Sequence, residues 1–167
     1  MDKVTAYSFL ILAMVLALPV ISHMLRKRPV ALKYANWLIL GVYLFANLYL
    51  TILSRPARIY HHMMLTPFWS YAGAVTRAEL REEILLNIIL YIPFGYLMHY
   101  AFPKMKWWAV VCAGFLLSGF TEAVQLLFKL GLCEVDDLIS NTLGTLVGVG
   151  LYKGYKRLVA EEAGEGG

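Results

Sequence analysis

Apolar residues along this chain are gathered into long runs broken by short basic or aromatic stretches. The runs are Val4–Leu25, Tyr34–Leu53, Ile84–Phe102, Trp107–Phe128, and Asp137 to Tyr152 or Tyr155. Charge-poor apolar runs of about 18 residues or more read as membrane-crossing helices. The pattern therefore predicts an all-α polytopic membrane helix bundle of about five transmembrane helices. The first run is too long for a signal-peptide core, and no A-x-A site follows it, so it is read as a retained span, kinked at Pro19. At about 1.5 Å per residue the fifth barely crosses the hydrocarbon, so tilt or local thinning must accommodate it.

The polar residues inside these runs fall on single helix faces. Tyr43, Asn47, Thr51 and Ser54 lead to Arg55 in span 2, and Asn87 and Tyr91 stack in span 3. Span 4 carries Gly114, Ser118, Glu122 and Gln125; span 5 carries Asp137, Asn141, Gly144 and Gly148. Residues three and four apart are neighbours on a helix, so each set forms one stripe. With the spans alternating in direction, Arg55, Asn87, Glu122, Gln125, Asp136, Asp137 and Asn141 all fall at one membrane side. Polar and ionisable groups in hydrocarbon are costly, and such a coincidence of depth predicts that the stripes meet. Gly114, Gly144 and Gly148 permit close helix contact below that layer.

The connection 55–83 is too apolar for free solution. Met63–Leu65 and Pro67–Tyr71 predict an interfacial or re-entrant aromatic segment between spans 2 and 3, with Tyr60, Trp69 and Tyr71 at headgroup level. Thr76 and Glu79 have capping-box spacing, which predicts the start of the third helix. Lys129–Asp136 reads as a short connection. The chain is expected to form one transmembrane domain over residues 1–157, followed by a disordered cytoplasmic tail, 158–167.

Composition agrees with this frame. Hydrophobic residues make up 60% of the 167 and charged residues 16%, which is too apolar a balance for a soluble domain of this size. The net charge of +4 is held in short clusters between apolar runs, unlike the basic face of a nucleic-acid binder. Arg26, Lys27, Arg28, Lys33, Lys104, Lys106, Lys153, Lys156 and Arg157 gather on one side. By the positive-inside rule that side is cytoplasmic, which places the N-terminus outside and the C-terminus inside. Cys112 and Cys133 lie at different depths and are not expected to bridge.

The candidate binding residues are Arg55, Arg58, Asn87, Ser118, Glu122, Gln125, Asp136, Asp137 and Asn141; Glu122 and Asp137 are also the candidates for catalysis. Each has a structural alternative. Asn47, Ser118 and Asn141 could be interhelical glue, Asp136 a helix cap, and Glu122 one half of an ion pair with Arg55 or Arg58. Adjacent His61 and His62 make a poor metal pair, and His23 and His99 read as interface residues. No H-E-x-x-H, C-x-x-C, G-x-S-x-G or phosphate-binding glycine loop is present, so no metal and no cofactor is expected.

Four pieces of sequence together resemble the VanZ-like family. They are Asn87-Ile-Ile-Leu-Tyr-Ile-Pro93-Phe94-Gly95, Ser118-x-x-x-Glu122-x-x-Gln125, Glu134-Val-Asp136-Asp137-x-x-x-Asn141-Thr142-x-Gly144-x-x-x-Gly148, and the aromatic segment Thr66–Tyr71. The resemblance covers roughly Ser54 to Leu151. It implies a multi-pass protein of the bacterial cytoplasmic membrane associated with resistance to teicoplanin-type glycopeptides, with no reaction attached. Its partners would be membrane lipids or a lipid-linked cell-wall precursor, and no nucleic acid. Three hypotheses stand: a lipid-binding envelope protein, an intramembrane enzyme on a lipid phosphate with Glu122 as acid/base, and a proton-coupled transporter. The last lacks the inverted repeat usual in transporters.

Overall fold

A computed structural model describes residues 28–57, 59 and 62–164, together with 20, 21 and 24. The expected first span, with Pro19 and His23, otherwise lies outside the described residues, as do Arg58, Tyr60 and His61. The elements run α1 (Pro29–Leu48), a π-helical turn (Tyr49–Leu53), β1 (His62–Met64), α2 (Trp69–Gly73), α3 (Ala78–Ala101), α4 (Trp107–Leu127), β2 (Leu132–Glu134) and α5 (Val135–Gly164). The fold is an all-α bundle with one small pair of strands.

Among the described residues, three helical segments are long and apolar enough to cross a membrane: Val30–Leu53, Ala78–Ala101 and Trp107–Leu127. They match expected spans 2, 3 and 4. The fifth expected span is the first half of α5. Acidic residues at its start and the Ser, Asn, Thr and Gly residues that follow dilute its apolar character. Beyond the expected boundary at 157 the helix continues to Gly164. Ala160, Glu161, Glu162 and Ala163 are strong helix formers, and propagation from an existing helix avoids the cost of nucleation.

α3 and α5 make the most extensive contact in the fold. Glycine is the reason. A Cβ at Gly144 would meet the Ile88 carbonyl, one at Gly148 the Ile92 carbonyl, and one at Gly95 the Thr145 carbonyl. The matched four-residue step on both helices means that they run parallel with their backbones touching. Gly114 brings α4 against the Thr145 side chain. α1 packs on α3 through a core of Leu40, Tyr43, Phe94, Tyr96 and Leu97.

At the far end from the polar layer, Trp37 meets Phe102 edge-on at 4.8 Å, and Lys153 Nζ lies 5.3 Å from the centre of the Trp107 ring. His99, expected at the interface, is instead buried against Tyr152, with ring centres 5.1 Å apart. Its helix is one in which Tyr91 through Leu97 are nearly all buried, so the face that carries His99 is covered by α5.

The loops at the polar end form a second layer. β1 pairs in parallel with β2, in the register His62↔Leu132, Met63↔Cys133 and Met64↔Glu134. The connection before α5 therefore carries a strand, which satisfies backbone groups that an apolar surrounding would leave unpaired. The carboxylate of Asp136 clasps the aromatic segment. Oδ1 accepts the Phe68 N–H at 2.6 Å, while Oδ2 accepts the Ser70 N–H at 2.7 Å and the Ser70 hydroxyl at 2.6 Å. Ser140 donates to the Asp136 carbonyl at 2.8 Å, so the Tyr71 hydroxyl donates to Ser140, also at 2.8 Å. Phe68 is held at φ 63°, a left-handed conformation that costs a bulky residue about 1–2 kcal/mol. The N-cap of α3 is Arg77 without a side-chain cap bond, so the expected Thr76–Glu79 capping box is not used. Thr76 instead turns back towards the Gly73 carbonyl at 3.4 Å.

Two outcomes follow from this packing. Gly148→Ala should lower stability by about 1–3 kcal/mol through overpacking. Gly150→Ala, where a Cβ meets nothing within 4 Å, should be neutral or stabilising by up to about 1 kcal/mol. Thermal unfolding of the two variants in detergent checks the contrast; equal melting points would refute the α3–α5 contact. Asp136→Asn should release the segment 62–75 at a cost of about 1.5–3 kcal/mol. Hydrogen exchange there should quicken about tenfold or more while α3 and α4 keep wild-type protection; unchanged exchange at Phe68 and Ser70 would refute the clasp.

Candidate functional site

The polar stripes meet where α1, α3, α4 and α5 converge below the loop layer. Asn87 Nδ2 on α3 donates to Asp137 Oδ1 on α5 at 2.6 Å. Asn141 Nδ2 on α5 donates to Ser118 Oγ on α4 at 2.8 Å. Gln125 Nε2 on α4 donates to the Thr51 carbonyl at 2.9 Å. That carbonyl belongs to the π-helical turn, where the last backbone acceptors of a helix need partners from outside it. Glu122 Oε2 accepts the N–H of Glu134 at 3.1 Å, tying α4 to β2.

A deeper row supports this one. The Tyr43 hydroxyl donates to the Leu90 carbonyl at 2.8 Å, and Asn47 Nδ2 donates to Tyr43 at 3.3 Å. Tyr91, fully buried, faces Ser118 and Thr121. Ser118, Gln125, Asn141 and Glu122 are all buried, Glu122 with 7% of its surface exposed. Several acceptors in these rows remain unmatched: among the described residues Asn47 Oδ1, Gln125 Oε1 and Asn141 Oδ1 have no hydrogen-bond partner.

Arg55 lies at the mouth and is exposed. Its guanidinium passes over Gly131: a Cβ there would sit 2.8 Å from Arg55 Nη1 and 3.4 Å from Gln125 Oε1. Asp137 lies within electrostatic reach of Glu122, Glu83, Glu134 and Arg55. Among the described residues no ion pair joins Arg55 to Glu122; the Glu122 carboxylate is turned to the β2 backbone instead. Asp136 differs from the others, since both its oxygens are committed to the aromatic segment. Among the described residues no group of three or more His, Cys, Asp or Glu side chains is placed to hold a metal, and both cysteines are free.

The structure brings Asn87, Ser118, Glu122, Gln125, Asp137 and Asn141 together at one end of the bundle, as their spacing predicts. Spacing missed Ser70, Tyr71 and Ser140, which hold the aromatic segment, and Gly131 and Glu134, which sit in β2 or beside it. Only the Ser70–Tyr71 hydroxyls inside an otherwise apolar stretch hinted at a partner.

Glu134, outside the helices, gives the site a pH signature. Burial, with the fields of Glu83 and Asp136 added, pushes its carboxyl up to about 7 from the ordinary 4.5. The folded protein holds this proton more tightly than the unfolded chain. Stability from this group is thus complete below 4.5 and lost as pH rises to about 7. Glu134→Gln should flatten that part of the melting-temperature profile in detergent; parallel profiles for variant and wild type would refute the assignment.

No solved structure matches this chain. Protein VanZ of Enterococcus faecium is 29% identical to it over 121 residues, covering 68% of this chain and 71% of that protein. The VanZ/LLP1 family model matches residues 37–159, a stretch that begins in α1 and takes in the aromatic segment, all of the polar layer and most of α5. With the match spanning most of the chain and every helix that builds the site, this membrane protein belongs to the VanZ-like family.

Proposed function

We propose that this chain sits in the bacterial cytoplasmic membrane and binds the polar head of a lipid or lipid-linked cell-wall precursor in the outer leaflet. Through that binding it would act in resistance to teicoplanin-type glycopeptides by altering access of the drug to its target. One observation carries the reading: a buried polar layer opens at an exposed cation, Arg55, beside Gln125 and Gly131. A guanidinium at the edge of an apolar bundle suits a phosphate, which it can grip with two hydrogen bonds. Orientation supports the outer leaflet. Lys104, Lys106 and Lys153 lie at the opposite end, where Lys153 meets Trp107, so the positive-inside rule puts the polar layer outside and the C-terminus in the cytoplasm.

A second reading, catalysis on the same lipid phosphate, draws on the placement of Glu122 and Asp137. Both are acids set within reach of Arg55, as general acid/base chemistry on a phosphate ester would require.

The test pairs resistance with binding. In a teicoplanin-sensitive host, Arg55→Gln and Asp137→Asn should lower the protective effect while membrane levels stay normal. Purified Arg55→Gln should bind a prenyl phosphate about tenfold or more weakly, the loss expected for a charge-assisted contact. Wild-type resistance and wild-type binding in Arg55→Gln would overturn the reading. Release of a product from prenyl phosphate, abolished by Glu122→Ala, would establish the enzymatic one in its place.

A further inference from the structure

Among the described residues of the site, three buried amide oxygens, of Gln125, Asn141 and Asn47, lack a hydrogen-bond partner, as does the Tyr91 hydroxyl. Gln125 is the firmest case. Its amide nitrogen donates to the Thr51 carbonyl, a group that can only accept, so the orientation of the amide is fixed and Oε1 points away. Among the described residues that oxygen has no partner although Gln125 is only 2% exposed, and it faces the space over Gly131 beside Arg55. Asn141 and Asn47 repeat the pattern deeper in the bundle, each donating through nitrogen and leaving its oxygen unmatched. Buried acceptors without partners are rare in native proteins and call for a donor.

Charge points the same way. Among the described residues, Glu122, Glu134 and Glu83 stand within electrostatic reach of Asp137, against one cation, Arg55. Asp136 takes no part, since its oxygens are spent on Phe68 and Ser70. A bare phosphate set here would find one guanidinium among the described residues and leave the surrounding carboxyl and amide oxygens without donors. A phosphate carrying an ammonium, or a sugar with hydroxyl and amine groups, would satisfy both ends of the site.

We infer that the site takes a phosphate headgroup substituted with hydrogen-bond donors, the phosphate on Arg55 and the donors on Gln125 Oε1 and the carboxylates of Glu122 and Asp137. This rests on the lipid-headgroup reading above and narrows it. The same chemistry is offered by an ethanolamine phospholipid and by a prenyl-linked aminosugar.

Binding of defined lipids to the purified full chain in detergent, read by native mass spectrometry, tests it. With identical acyl chains, the ethanolamine phospholipid should bind about tenfold more tightly than the choline phospholipid, which lacks N–H donors, and than phosphatidic acid, which lacks the substituent. Asp137→Asn should erase most of that preference while leaving phosphatidic acid binding in place or stronger. A prenyl diphosphate bearing an aminosugar, compared with the same prenyl diphosphate without it, identifies the source: a larger gain from the sugar than from ethanolamine marks a wall precursor, and the reverse a phospholipid. Equal binding of all headgroups, still weakened by Arg55→Gln, would overturn the donor inference while leaving the lipid site standing. Equal binding that ignores Arg55→Gln would remove both.

Discussion

Everything polar in this bundle depends on α3 and α5 touching backbone to backbone. Gly144 and Gly148 lie against the carbonyls of Ile88 and Ile92, and Gly95 lies against that of Thr145. Between apolar helices in lipid there is little hydrophobic drive to associate, so close packing and polar contacts must supply the attraction. The glycines allow the approach, and the approach fixes rotation and register. That register is what presents Asn87 to Asp137 at 2.6 Å. A side chain at any of these glycines would push the helices apart and separate the pair.

α4 and α1 are then fitted to this parallel core. Gly114 seats α4 on Thr145, which brings Ser118 to Asn141 and puts Glu122 under β2. α1 is docked by Tyr43 on the Leu90 carbonyl, and its π-helical end offers Thr51 to Gln125. Each contact joins a side chain to a different helix, so no helix holds its polar residues alone. The layer is glue and candidate site at once. Its amides stitch the helices with their nitrogens and turn their oxygens elsewhere, which is why the same residues can do both.

The helical half of this arrangement was legible in the sequence because polar residues stand out sharply against apolar runs. Asn87, Ser118, Glu122, Gln125, Asp137 and Asn141 could be placed on faces and at a depth by spacing alone. The loop half was not legible. Strands of three residues carry no periodic signal, and the pairing of His62–Met64 with Leu132–Glu134 joins segments far apart in sequence. Asp136 and Asp137 are adjacent and chemically alike, yet one clasps the aromatic segment and the other faces Asn87. Neighbouring helix positions differ by about 100° in direction, and only the surroundings say which direction is the site. Thr76–Glu79 failed as a capping box for a related reason: the turn before α3 is set by Gly73 and Arg77, so the helix began one residue later than the cap required.

The clasp also ties the aromatic segment to the polar layer rather than leaving it at the membrane surface alone. Phe68 is bent into a left-handed conformation that its side chain disfavours, and the opposing contribution is charge-assisted bonding to Asp136. Its ring remains 60% exposed, in a loop layer where Met63, Leu65 and Val75 are exposed as well. The result is an apolar rim lying over a polar layer. Because Asp136 begins the same helix that carries Asp137 and Asn141, rim and layer are held by one rigid element and keep their spacing.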